Sequence, residues 1–229
     1  MSYNEFNQPI GEPLFDYSLG ELPSATLLQG RFCRLEKLSA EKHGSDLFAV
    51  YSSPAQYWTY LPIERFDDFA ALQTYLVELE KSSDPYYFSI IDEQTNQAVG
   101  TFALMRIDPK NRSIEVGWVI YSPALQRTKI ATEAQFILAN YVFETLQYRR
   151  YEWKCDRLNE PSQNAAKRLG FSYEGTFRQA AVYKERNRDT AWFSMLDSEW
   201  NHHKKRFEAW LADDNFDEYG RQKKSLSAL

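Results

Sequence analysis

Three strand-like runs in succession, Tyr86–Ile91, Val99–Arg106 and Ser113–Ile120, are followed by a long helical stretch from about Thr128 to Leu146. No other feature constrains the chain as much. Asp92-Glu93-Gln94-Thr95-Asn96 and Asp108-Pro109-Lys110-Asn111 hold the Asp, Asn and Pro that turns select, so the three runs predict a meander. In the helical stretch, Ala131, Ala134, Leu138, Tyr141 and Val142 follow i, i+3, i+4 spacing and make one apolar face. A strand at Tyr151–Cys155 follows that helix.

A short helix comes next. Pro161 suits its first turn and Gly170 its C′ position, and Ala165, Ala166 and Leu169 form its inner face. Strands near Phe171–Phe177 and Ala191–Leu196 and a helix near Asp197–Leu211 complete the pattern. Upstream, Arg31–Leu35 reads as a strand, with helices near 40–52 and 66–81. This order predicts a single α/β domain over residues 25–213, built around a mixed sheet. Residues 1–24, with Pro9, Gly11, Pro13, Gly20 and Pro23, read as an extended arm. Residues 214–229 read as a polar, frayed C-terminal tail.

Composition removes several function classes. The net charge of −5 argues against a general nucleic-acid binder. No run of about 18 apolar residues occurs, so no transmembrane helix is expected. The start, Met1-Ser2-Tyr3-Asn4-Glu5, lacks the basic and apolar regions of a signal peptide, so the expected compartment is the cytoplasm. Cys33 and Cys155 do not make a disulfide scaffold. His43, His202 and His203 stand in no zinc spacing, and no metal is expected. There is no Gly-Lys pair for a Walker A loop, and no two glycines stand two apart as a dinucleotide fingerprint needs. Aromatic residues make up 16% of the chain, too much apolar surface to remain solvated, so most of it is folded.

Two segments carry chemistry. In the first, the strand Ile114-Glu115-Val116-Gly117-Trp118 leads through Tyr121-Ser122-Pro123 to Gln126-Arg127-Thr128-Lys129-Ile130-Ala131-Thr132 at the start of the longest helix. A helix N-terminus offers unpaired N–H groups and a positive dipole end to an anion, and Arg127 and Lys129 add charge; a merely solvated basic turn is the competing reading. The second runs from Asn159 to Gly175. Asn159 or Ser162 caps its helix in the plainest reading.

Taken together, these segments resemble the GNAT superfamily of acetyl-CoA-dependent N-acetyltransferases, in its RimJ/RimL-like branch. The matching pieces are Glu115-Val-Gly-Trp118, Gln126-Arg-Thr with Ala131-Thr-Glu-Ala134, Arg149–Asp156, Asn159-x-x-Ser162, Arg168-Leu-Gly-Phe171, Glu174-Gly175 and Arg186–Trp192. The resemblance spans about Leu27 to Trp200 and implies a central, twisted mixed sheet of about seven strands flanked by helices.

Several roles follow from the resemblance. The backbone of Gln126, Arg127, Thr128, Lys129, Ile130, Ala131 and Thr132 would hold the CoA pyrophosphate, although Lys129 stands where the family usually has glycine. Trp118, Val119 and Ile120 would pair with the pantetheine arm and polarise the thioester carbonyl. Asn159 and Ser162 would touch the cofactor. Glu115 is the expected general base, with a structural ion pair as its alternative. The family's usual acid tyrosine would fall at Ala166, so Ser162 is the candidate acid and Tyr173 and Tyr183 are substitutes. Tyr57, Trp58 and Tyr60 either wall an amine pocket or pack over the core.

The implied activity is transfer of an acetyl group from acetyl-CoA to a primary amine, a protein N-terminus or a small molecule, by direct attack in a ternary complex. A non-catalytic acyl-CoA-binding protein and a structural adaptor are the alternatives. The expected partners are acetyl-CoA and the amine, with no nucleic acid and no membrane, in a monomer or homodimer.

Overall fold

The structure is a computed structural model, and it describes residues 1–229 except Asp16. In chain order the elements are β1 (Ser2–Tyr3), β2 (Pro9–Ile10), β3 (Leu27–Gln29), β4 (Cys33–Lys37), α1 (Ala40–Tyr51), α2 (Phe69–Lys81), β5 (Tyr86–Asp92), β6 (Ala98–Asp108) and β7 (Ser113–Tyr121). There follow α3 (Lys129–Asn140), β8 (Arg150–Asp156), α4 (Glu160–Leu169), β9 (Ser172–Tyr183), β10 (Arg186–Leu196) and α5 (Asp197–Leu211). β1 and β2 pair only with each other; the other eight strands form one sheet, ordered β3-β4-β5-β6-β7-β8-β10-β9.

The meander forms as its turns dictate. Asp92 Oδ1 accepts from the Gln94 N–H and Asp108 Oδ1 from the Asn111 N–H, closing the β5–β6 and β6–β7 connections. β7 and β8 are parallel, and the other neighbouring strands of the sheet are antiparallel. A parallel pair needs a crossover, which α3 provides. A single π-turn at Tyr141–Thr145 ends the stretch expected to stay helical to Leu146.

Helices cover both faces. Phe88, Phe102, Ile114, Val116, Leu138, Phe193 and Phe207 pack between the sheet and α3 and α5. Leu47, Tyr51, Trp58, Leu72, Leu76, Tyr87 and Ile120 pack under α1 and α2. Tyr86, Phe88 and Ile90 of β5 reach one core and Tyr87 the other, the period-two alternation of a strand buried on both sides.

Three differences from the sequence reading have clear causes. The sheet has eight strands because the short β3 adds to the edge of β4, which itself starts at Cys33. β9 and β10 run on to a two-residue turn, Lys184-Glu185, whose φ values of 49° and 58° are those of a type I′ hairpin. The tail is folded: Leu226 is fully buried, Arg206 Nη2 donates to its carbonyl at 2.8 Å, and the Asn215 amide donates to the Trp210 and Lys224 carbonyls. Residues in the arm also reach the domain, where the Ser24 and Ala25 N–H groups donate to the Tyr141 hydroxyl.

Candidate active site

β7 and β8 pair in register only from Ser113↔Arg150 to Val116↔Trp153. Beyond that point β7 is bulged. Thr101 faces Ile120 and Ala103 faces Gly117, so β7 has one residue more than β6 between these pairs. Trp118 takes the left-handed φ of 52°. A bulge bends its strand and leaves backbone groups outside the ladder. Here it leaves Trp118–Ile120 unpaired with β8 and opens the sheet.

The opening is floored by the start of α3. Thr128 is the N-cap: its Oγ1 accepts from the Ala131 N–H at 3.2 Å and donates to the Leu125 carbonyl at 2.7 Å. This fixes the loop while the first-turn N–H groups of Lys129 and Ile130 have no helical partner, which suits an anion. From the other side, Asn159 caps α4, accepting from the Ser162 N–H at 3.2 Å. Ser162 Oγ accepts in turn from Trp153 Nε1 at 3.0 Å. Gly170, with φ 110°, ends the helix.

Together these elements enclose a cavity of about 1430 Å³. Val119, Ile120, Gln126, Arg127, Thr128, Lys129, Ala131, Thr132, Asn159 and Ser162 all border it. Trp118 and Ile130 do not. The bulge turns the Trp118 side chain toward the α1–α2 core, and Ile130 packs into the larger core. The contacts expected of both are backbone ones. Glu160 is the only carboxylate bordering the cavity among the described residues, against Arg127, Lys129, Arg168 and Arg221.

Tyr57 and Tyr60 border the cavity, and the Tyr60 hydroxyl donates to the Leu158 carbonyl at 3.0 Å just before α4, whereas Arg168 stands in the last turn of that helix. Trp58 also borders the cavity, yet it is 1% exposed with its Nε1 on the Ser53 carbonyl, so it packs into the core at the same time. The tip of the β9–β10 hairpin closes over this loop. Lys184 Nζ donates to the Trp58 carbonyl and pairs with Glu64, each at 2.9 Å, and Arg186 Nη2 donates to the Thr59 carbonyl at 2.8 Å.

Glu115 is 3% exposed and lies outside the cavity lining. Its Oε2 meets Arg106 Nη1 at 2.6 Å and Lys154 Nζ at 2.9 Å, and Lys154 also pairs with Glu152 at 2.7 Å. The alternative reading, a structural ion pair, is thus present in the molecule. Glu115 Oε1 lies on the Gly117 side, where Met105 Sδ fills the space a side chain would take. Burial pushes the Cys155 thiol up, and the neighbouring Ser162 hydroxyl offsets part of that. Tyr183 donates to Asp156 at 2.7 Å; burial and that carboxylate hold its phenol up at about 12. No group of three or more His, Cys, Asp and Glu stands together for a metal among the described residues.

Sequence reasoning overlooked Gln135, Phe216 and Arg221, which border the cavity. Gln135 had a signal, because Thr128, Thr132 and Gln135 make a polar i, i+4, i+7 stripe on an apolar helix. The tail residues had none.

The family model described as an acetyltransferase (GNAT) domain matches residues 33–172. A crystal structure of a GCN5-related N-acetyltransferase from Brucella melitensis superposes with a TM-score of 0.91 and 47% identity, over 93% of this chain and 97% of that one. An uncharacterized N-acetyltransferase, p20, of Bacillus licheniformis is 28% identical over 73% of this chain and 95% of its own length. A ribosomal-protein-serine acetyltransferase of Escherichia coli (strain K12) is 27% identical over 45% of this chain and 58% of its own. Fold and site thus define an acyltransferase. More particularly, the chain belongs to the GNAT family of N-acetyltransferases, with RimJ/RimL-like proteins among its relatives.

Proposed function

We propose that this protein transfers the acetyl group of acetyl-CoA to a primary amine by direct attack in a ternary complex. One observation carries the reading. A single cavity is bordered by a cationic helix N-terminus, by strand residues unpaired with β8 and by two tyrosines, the surfaces that a phosphorylated thioester meeting a neutral amine requires.

In this reading the N–H groups of α3 take the pyrophosphate and the backbone of Trp118–Ile120 binds the pantetheine arm. One N–H from that stretch donates to the thioester carbonyl as negative charge builds on its oxygen. An alkyl amine has a pKa near about 10.4 and must lose a proton to attack. Glu115 takes that proton at Oε1, through water, while its Oε2 stays on Arg106 and Lys154. The new N–C bond forms and the C–S bond breaks. Ser162 then donates to the thiolate: its Oγ accepts from Trp153 and keeps its own hydrogen, which turns from the Cys155 side to the leaving sulfur. Tyr57 and Tyr60 wall the acceptor.

The name of the Escherichia coli relative, a ribosomal-protein-serine acetyltransferase, supports a protein as one acceptor class, for which we take the N-terminal amine, and small amines are the other. No described helix is long and apolar enough to cross a membrane, and both cysteines are free, which supports a cytoplasmic protein. We take it to be a monomer or homodimer. The test is free-thiol release by the purified chain with acetyl-CoA and a panel of peptides and small amines. Amine-dependent release is expected; tight acetyl-CoA binding with no release for any amine would instead identify a non-catalytic acyl-CoA binder.

A further inference from the structure

The family match ends at residue 172, yet the far end of the cavity is completed by the tail. Phe216 and Arg221 reach that end from beyond α5, and they do so on a fixed support. Asn215 is tied to Trp210 and Lys224, Leu226 is buried, and Trp210 Nε1 donates to Gln222 at 2.8 Å. Between these anchors Asp217 Oδ1 accepts from the Arg221 N–H at 2.8 Å, closing a turn that passes through Gly220 at φ 74°.

Two cations of the domain lean on the tail side. Lys129 Nζ stands 3.6 Å over the Phe216 ring and Arg168 Cζ 4.9 Å over the Trp210 ring. Arg168 is half-buried, donates to Thr132 Oγ1 at 3.1 Å and has no carboxylate partner among the described residues. Arg221 pairs with Asp217 through Nε at 2.8 Å, and its guanidinium is largely exposed. Lys129, Arg168 and Arg221 therefore converge from α3, α4 and the tail at the end remote from Tyr57 and Tyr60. Arg168 and Arg221 stand on α4 and the tail, apart from the α3 N-terminus that the diphosphate would occupy, so this end of the cavity offers two guanidinium groups to a further anion.

We infer that the tail is a built part of the cofactor site, with Arg221 and Arg168 gripping the 3′-phosphate on the ribose of CoA and Phe216 bordering its adenosine. Arg221 is the specificity-determining residue for that phosphate. The inference rests on the proposed use of acetyl-CoA and adds what selects the phosphorylated nucleoside.

Titration calorimetry with acetyl-CoA and acetyl-3′-dephospho-CoA tests it. The wild-type chain should bind acetyl-CoA roughly tenfold or more tightly than the dephospho compound, as a charge-assisted pair implies. Arg221→Gln should abolish that preference by weakening acetyl-CoA alone, and Arg221→Lys should keep part of it. Equal loss for both compounds, or an unchanged preference in Arg221→Gln, overturns the inference. Wild-type binding of both compounds equally, with amine-dependent turnover, overturns it while the proposed function stands. Binding of neither overturns both.

Discussion

The indole N–H of Trp153 and the Ser162 hydroxyl, 3.0 Å apart, join the last residue of β8 that pairs with β7 to the first turn of α4 across the open end of the sheet. The serine accepts in this bond and keeps its own proton to donate. Ser162→Ala should therefore lower kcat with little change in the KM for acetyl-CoA. Because a thiolate of pKa near about 8.5 leaves readily, the loss should fall at or below the lower end of the roughly 10²–10⁴ range of acid–base catalysis. Steady-state kinetics on both substrates checks this, and an unchanged kcat removes Ser162 as the acid.

Glu115→Gln should reduce kcat/KM by about 10²–10⁴ and flatten the acid side of its pH profile. It should also cost about 1–3 kcal/mol of stability. Breaking a buried pair is expensive, but Lys154 keeps Glu152 and Arg106 is more than half exposed. Chemical denaturation separates the two effects. Undiminished kcat/KM across pH with the stability loss intact would leave Glu115 a purely structural carboxylate.

Thr128→Ala removes an N-cap that also donates to the Leu125 carbonyl. A loss of about 1 kcal/mol is expected from the cap. Acetyl-CoA binding should weaken as the loop loosens, with the amine KM little changed. Thermal unfolding with and without acetyl-CoA checks both: the variant should show the lower Tm and the smaller ligand-induced rise.

Stability should also depend on acid through Glu174. Hydrogen bonding from Arg150, with Ser194 helping, holds its carboxyl below the ordinary carboxylate value. A depressed folded value adds stability that is complete above the unfolded pKa of about 4.3 and disappears as pH falls through the folded one. Denaturation midpoints should therefore drop on acidification below about pH 4, and Glu174→Gln should make that drop shallower. An identical acid dependence in the variant would place the effect on other carboxylates.

Much of this architecture is legible in the sequence where local chemistry and tertiary context agree. The Asp92 and Asp108 turns, the apolar face of α3 and the Pro161–Gly170 bracket of α4 each specify their element without outside help. The rest depends on context. Lys184-Glu185 occupies a turn whose left-handed dihedrals normally select Asn-Gly, so no residue announces the hairpin. Trp58 lies in a polar-looking connection, and only the fold shows that α1 and α2 close over it. The tail reads as frayed because Phe216 and Leu226 are isolated among polar residues; the grooves that bury them belong to distant elements. Glu115 can be picked out as chemically important, but its partners Arg106 and Lys154 come from two neighbouring strands and from no motif.

The grip of Lys184 on the Trp58 carbonyl spans 126 positions in the chain. The proposed cofactor floor, from β7 through α4, is by contrast one nearly continuous stretch. The two halves of the site should therefore mature at different times. Local contacts can assemble the floor early, whereas the acceptor mouth must wait for a long loop to close. A chain emerging from the ribosome would hold the diphosphate platform before its acceptor mouth closes, and would gain the tail's grip on the nucleotide last.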